Sequence, residues 1–289
     1  MRILITGSSG LLGSKLVAAA EAHDVIPTYC SRALFPVSIR MDITDRNEVI
    51  RIVEKHKPNV IIHTAAETNV DKCEVDRERA WKVNVEGTKN IVDVCVRNNI
   101  LLVLLSTDYV FDGEKGLYTE EDNPNPINFY GYTKLEAERY AVQAEHLIIR
   151  TSVLYGWHPW KKNFVTWVLS SLREGKQIRV VEDHYNSPTL VDNLAELIIA
   201  AIEKDLRGLY NIAGSERISR LEFARKICEV FNLNPELIQR TRMSEFKDWI
   251  ARRPRDSSLK VEKIQNAVRK RPLSVLEGLR LMRDSLAEA

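Results

Sequence analysis

The hydrophobic positions of this chain follow two rhythms. Short unbroken apolar runs, Ile3-Leu4-Ile5, Val60-Ile61-Ile62 and the six residues from Ile100 to Leu105, alternate with longer stretches in which apolar residues recur every three or four positions. Unbroken runs fit strands buried on both faces, as in a parallel sheet, and the wider spacing fits helices with one apolar stripe. The pattern predicts strands at 2–6, 25–29, 60–63, 101–105 and 147–150, and helices at 11–23, 46–56, 76–98 and 130–144. That alternation describes an α/β fold, a doubly wound parallel sheet. After about residue 151 the rhythm changes. Helices are expected at 161–174, 193–203, 220–231 and 275–287, with short strands at 178–181 and 208–212. The expected organisation is one domain over 1–151 and a smaller mixed α/β lobe over 152–289, with some of its segments returning to the main sheet.

Composition narrows the class. The chain has 289 residues, of which 44% are hydrophobic, enough to fill the core of one large domain and a smaller one. Its net charge is only +2, and the basic clusters Arg252-Arg253-Pro254-Arg255 and Arg269-Lys270-Arg271 are local, so neither nucleic acid nor a membrane is an expected partner. Cys30, Cys73, Cys95 and Cys228 are widely spaced, without a metal-ligand pattern or a disulfide framework, as expected of reduced thiols. The first strand begins at the initiator Met, and no apolar run reaches membrane-spanning length. A cytoplasmic location is therefore expected.

Two motifs carry chemistry. Gly7-Ser8-Ser9-Gly10-Leu11-Leu12-Gly13 follows the first strand and opens the first helix. Its free N–H groups and positive dipole end suit a pyrophosphate, although the GxxGxxG spacing is one residue wider than GxGxxG. Tyr130 and Lys134 lie one helical turn apart on one face, and Tyr130 is the only tyrosine of the chain with a lysine four residues later. Either motif alone is weak, because glycine turns also serve packing and the tyrosine-lysine spacing arises by chance. Together they describe a nicotinamide enzyme. In an open parallel sheet ligands sit at the carboxyl ends of the strands, which assigns further candidates. After the second strand stand Ser31 and Arg32, which suit the 2′-phosphate of NADP where an acidic residue would repel it. Asp42 and Ile43 follow a short third strand, and Ala65, Ala66 and Thr68 follow the fourth, where small residues let the backbone approach a cofactor.

Residues 106–113 read Ser-Thr-Asp-Tyr-Val-Phe-Asp-Gly, and with the stretches 65–74 and 130–138, Arg150-Thr151-Ser152, Asn163-Phe164 and Ser187-Pro188-Thr189 they make the chain resemble the extended short-chain dehydrogenase/reductase family. Within it the sequence is similar to the dTDP-4-dehydrorhamnose reductases, over nearly the whole chain. The resemblance implies a Rossmann domain that binds NADPH and a lobe that binds a nucleotide sugar. It implies reduction of a 4-keto-6-deoxysugar, dTDP-4-dehydro-L-rhamnose to dTDP-L-rhamnose. Thr107, Tyr130 and Lys134 become the catalytic set: the phenol protonates the new alcohol, Thr107 steadies the oxyanion, and Lys134 draws the phenol's pKa down from about 10. Asp108, Tyr109 and Asn163 are expected to line the sugar site, and Arg253 to approach the diphosphate.

Departures temper the substrate. Reductases of this type commonly have Trp after Arg-Thr-Ser, and here the residue is Val153. Where some members hold an intersubunit metal through a first-helix glutamate, this chain has Lys15, so no metal is expected and a homodimer is left open. Val153-Leu154-Tyr155-Gly156 and Arg253-Pro254-Arg255 are also similar to the NADP-binding regulatory subunit of methionine adenosyltransferase. Three readings stay open: a reductase, another nucleotide-sugar epimerase or dehydratase, and a non-catalytic partner subunit.

Overall fold

The computed structural model describes residues 1–285. Six parallel strands, β1 (Arg2–Thr6), β2 (Asp24–Tyr29), β3 (Ile39–Arg40), β4 (Val60–His63), β5 (Leu101–Thr107) and β6 (His146–Thr151), form one sheet in the order β6-β5-β4-β1-β2-β3. A seventh, Gly208–Asn211, extends it in parallel beside β6 although it comes from the second half of the chain. The chain order reverses between β1 and β4, which places a crevice at their carboxyl ends. It is a Rossmann fold.

Side-chain alternation along the strands divides the core in two. Ile3, Ile5, Val60, Ile62, Val103 and Ile149 join one cluster, and Leu4, Ile61, Leu102, Leu104 and Ile148 join the other. Successive residues of a strand point to opposite faces, so an unbroken apolar run feeds both layers. The first cluster is covered by α1 (Leu11–Ala19) and, much later in the chain, by the helix Val191–Glu203. The second is covered by α2 (Arg46–His56), followed after α3 (Val70–Val75) and α4 (Arg77–Trp81) by α5 (Gly87–Asn98) and α6 (Phe129–Ala141). α7 (Phe164–Arg173) and the helices Arg220–Phe231 and Val275–Asp284 surround a third cluster, with Tyr155 and Phe223 fully buried in it.

Several boundaries differ from those the periodicity predicts. α1 ends at Ala19 rather than 23, because the chain turns there, with His23 donating its N–H to the Ala20 carbonyl, to enter β2. α7 starts at Phe164, where Asn163 and Thr166 form a reciprocal cap, and not at 161. The helix expected over 76–98 is broken. A five-residue π-turn, Lys82–Glu86, separates α4 from α5 and turns the Asn84 side chain toward α6, where its amide donates to Thr133 Oγ1 at 3.0 Å. The last helix is helical to Asp284; its expected continuation through 286 and 287 lies outside the described residues. No helix among the described residues is long and apolar enough to cross a membrane.

Candidate active site

A cleft of about 520 Å³ opens at the carboxyl ends of β1, β4, β5 and β6. At one end is the glycine turn. Gly7 takes φ +68° and packs on Ala65, and a Cβ on Gly13 would stand 2.2 Å from the Gly7 carbonyl oxygen. Only glycines allow so close a return of the chain, and the return leaves the first turn of α1 facing the cleft, where Gly10, Leu11, Leu12 and Gly13 line it. Gly10 caps α1 without a side-chain hydrogen bond, so the orphan N–H groups of this turn stay free for a phosphate. Ala66 and Thr68 line the same end. The cradle fits a dinucleotide pyrophosphate.

Thr107, Tyr130 and Lys134 meet in the middle of the cleft. Thr107 ends β5, and its Oγ1 accepts the Tyr109 N–H at 3.2 Å and donates to Asp108 Oδ1 at 3.1 Å. Tyr130 and Lys134 project from α6, which Asn128 caps through the Gly131 N–H at 2.8 Å. The phenol departs from the sequence expectation. Burial pushes the Tyr130 pKa well above its ordinary value, and the Thr107 hydroxyl only partly offsets this. Lys134 is brought down to about 8, by burial first, with Glu138 one turn on pulling it back up. Burial, with the nearby Asp108 charge acting the same way, favours the neutral phenol.

Behind this set lies a buried polar frame, of which sequence reading named only Asp108 as a site residue. Arg150 holds Glu138 through two hydrogen bonds, 3.0 and 2.7 Å, while Ser106 donates to the same carboxylate. Asp108 is buried and accepts hydroxyls from Ser152 at 2.8 Å and Ser257 at 2.5 Å; burial raises its pKa against these bonds. His63 ends β4. Thr6 Oγ1 accepts the N–H groups of Thr64 and Ala65, so its own proton goes to His63 Nδ1 at 2.7 Å, leaving Nε2–H to donate to Thr88 at 3.0 Å. Burial, then the Lys134 charge, lowers the His63 pKa to about 3.

A stability prediction follows from that neutral histidine. Between about pH 6.5 and 3 the unfolded chain binds a proton at this position that the folded chain refuses. Folding stability should therefore be lost as pH falls through 6.5, by about 1.4 kcal/mol per pH unit from this group alone. Urea unfolding of wild type and His63→Asn between pH 7.5 and 4.5 measures it. The variant should show a slope shallower by one proton, and parallel slopes would show that His63 titrates normally.

Val153, Asn163 and Phe164 line another part of the same cleft. Val153 has φ +43°, which costs a β-branched residue of the order of 1–3 kcal/mol. Asn163 is occupied as the α7 cap, its amide donating to the Gly156 carbonyl at 2.7 Å. A second recess of about 260 Å³ adjoins, lined by Tyr109, Phe164, Trp167, His184, Phe246 and Trp249 among others. Arg253 reaches this recess, where its guanidinium pairs with Asp71 at 2.8 Å, so its charge is already matched. Arg220 is different. It borders both hollows, and among the described residues its guanidinium has no hydrogen-bonding or ionic partner, lying 5.0 Å from the Phe164 ring. Burial lowers its pKa, against the pull of Tyr109 and Asp108. Its signal was present in the sequence: it occupies the first position of a helix capped by Ser219 and Glu222, where the helix dipole disfavours a cation.

Other expected residues stand apart from the cleft. Gly7, Ser9 and Ala65 shape the glycine turn without lining it. Ser31 and Arg32 are exposed beyond β2. Asp42 accepts the Thr44 N–H at 2.9 Å, and Ile43 fills the space against Gly87. Lys15 pairs with Asp192 at 2.8 Å, and no cluster of metal-ligating side chains occurs among the described residues.

Comparison with known proteins gives whole-chain similarity. A family described as RmlD substrate binding domain matches residues 1–287. A dTDP-4-dehydrorhamnose reductase of Aggregatibacter actinomycetemcomitans is 32% identical, covering 92% of each chain. Methionine adenosyltransferase 2 subunit beta of Bos taurus is 30% identical, covering 91% of this chain and 81% of that one. Among solved structures, a hypothetical dTDP-4-dehydrorhamnose reductase from Sulfolobus tokodaii is 42% identical with a TM-score of 0.87, over 96% of this chain and 99% of that one. The dTDP-4-dehydrorhamnose reductase of Bacillus anthracis, in complex with NADP, is 32% identical with a TM-score of 0.89, over 98% and 99%.

Proposed function

The chain belongs to the RmlD substrate binding domain family, and from that premise we propose that it reduces a nucleotide-linked 4-keto-6-deoxysugar, with dTDP-4-dehydro-L-rhamnose to dTDP-L-rhamnose the best supported reaction. It is an NADP-dependent oxidoreductase. One observation carries the reading of the substrate: Thr107, Tyr130 and Lys134 converge between the glycine turn and Arg220, which has no ionic partner among the described residues. A dinucleotide lies at the first end and an anionic, sugar-linked substrate at the second, with the reacting carbon between them.

NADPH, when bound, supplies the hydride. Tyr130 contributes the proton. A carbonyl that receives hydride on carbon develops negative charge on oxygen, and a phenol kept neutral by burial is the form that can protonate it. The phenolate left behind is stabilised by the Lys134 ammonium. Thr107 donates its hydroxyl proton to Asp108 in the unliganded site and turns it to the substrate oxygen when the carbonyl enters, which orients that oxygen. Arg220 takes a phosphate oxygen of the substrate's diphosphate, and the aromatic recess beyond it receives the base.

The test is a panel of 4-keto and 4-hydroxy nucleotide sugars with NADPH, following absorbance and identifying the product by NMR. Oxidation of NADPH with dTDP-4-dehydro-L-rhamnose and a new C4–H bond is the expected result. Turnover with a different nucleotide sugar only would move the substrate within the family. The similarity to the bovine subunit beta supports a second reading, a regulatory partner. NADPH binding without oxidation by any member of the panel would favour it.

A further inference from the structure

Arg32 and Trp160 come from opposite lobes, yet the guanidinium carbon lies 4.0 Å from the centroid of the indole. Arg32 follows β2, at the end of the sheet where the adenosine ribose of a dinucleotide is read. Trp160 belongs to the segment 157–162, between the short strand Leu154–Tyr155 and α7. That segment is braced. Trp157 Nε1 donates to the Met282 carbonyl at 2.6 Å, and His158 Nδ1 accepts the N–H groups of Trp160 at 3.3 Å and Lys161 at 3.0 Å. The His158 ring meets the Trp160 ring edge-on, with centroids 5.0 Å apart. Lys161 and Lys162 line the same cleft as the glycine turn. Among the described residues no carboxylate pairs with Arg32, so its guanidinium has the Trp160 ring as its neighbour and no ionic partner.

Resting on the reading of Arg32 as the residue that meets the 2′-phosphate, we propose that Trp160 positions it, so that preference for NADP over NAD is built from both lobes. A guanidinium uses its face against an aromatic ring and its edge for hydrogen bonds. Stacking on Trp160 therefore leaves the in-plane N–H donors free for a phosphate. An exposed arginine otherwise loses much rotamer freedom on binding, and stacking beforehand reduces that loss. NADH lacks the phosphate and gains nothing from the arrangement. The braced segment also explains how an exposed arginine can be held in one place: its platform is fixed to the second lobe and not to the loop that carries it.

Calorimetric titration of NADPH and NADH into wild type, Trp160→Ala, Trp160→Phe, Arg32→Ala and the double alanine variant tests this. Trp160→Ala should weaken NADPH by about three- to tenfold and leave NADH unchanged, while Trp160→Phe should recover most of the loss. On the Arg32→Ala background, Trp160→Ala should have no further effect. Equal weakening of both cofactors would mean that Trp160 is only a structural cover, and would overturn the proposal. So would an unchanged NADPH affinity in Trp160→Ala when Arg32→Ala loses it. If Arg32→Ala leaves the ratio of the two cofactors unaltered, the reading of Arg32 itself fails, a result distinct from the other two. NADH binding reports the folding of every variant.

Discussion

Tyr130→Phe is expected to lower kcat by roughly a thousandfold while NADPH binding stays near the wild-type value. The phenol oxygen is the only difference between the residues, and burial keeps it protonated, which makes it the proton source and not a fixed anion. Tyr132 is the internal control. It sits two positions on, 40% exposed on the far side of α6 among Trp81 and Phe129, so Tyr132→Phe should keep most of the rate. Single-turnover rates and calorimetric NADPH titrations separate chemistry from binding. Inverted behaviour of the two variants would mean that the catalytic face of α6 has been misassigned.

Arg220→Met should raise KM for the nucleotide sugar by one to two decades and leave NADPH affinity unchanged. A charge-assisted hydrogen bond is worth about 1.5–3 kcal/mol, which sets that scale. The same change should leave the melting temperature equal or higher. Among the described residues this half-buried cation has no carboxylate to pair with and only the Phe164 ring beside it, which makes it an unfavourable element of the unliganded fold, and methionine of similar length removes its charge while keeping contact with Phe164. Arg253→Met should do the opposite and lower stability. Asp71 would lose its ionic partner there, and burial works against that carboxylate, which the Ala251 N–H and Arg253 now hold below its usual range. A fall in stability with Arg220→Met, at unchanged KM, would assign Arg220 to the framework and leave the diphosphate without its proposed contact.

Most of the first domain was readable from local pattern. Apolar runs such as Val60-Ile61-Ile62 need only be buried on both faces to become central strands, and no distant information is required. The glycine turn and the Tyr130, Lys134 pair were equally local, one set by backbone sterics and the other by helical repeat. What the periodicity could not supply was an interruption such as the π-turn at Lys82–Glu86, because an extra residue in a helical turn leaves the apolar spacing almost unchanged. The boundary errors at α1 and α7 have a similar origin, since chain reversal and capping decided the ends.

The sequence by itself determined the parallel sheet, the glycine turn and the Tyr130, Lys134 pair proposed to react, because each depends on residues within a few positions of one another. Only the tertiary structure decided their protonation and their partners. Burial among sequence-distant segments keeps Tyr130 protonated and His63 neutral, and no spacing rule measures that desolvation. The aromatic recess draws on α7, on His184 and on residues 246–253, and Arg253 was claimed by Asp71, 182 positions away, while Arg220 has no carboxylate partner among the described residues. Charge pairing is settled by distance in space, and that distance exists only once sequence-distant segments have packed together.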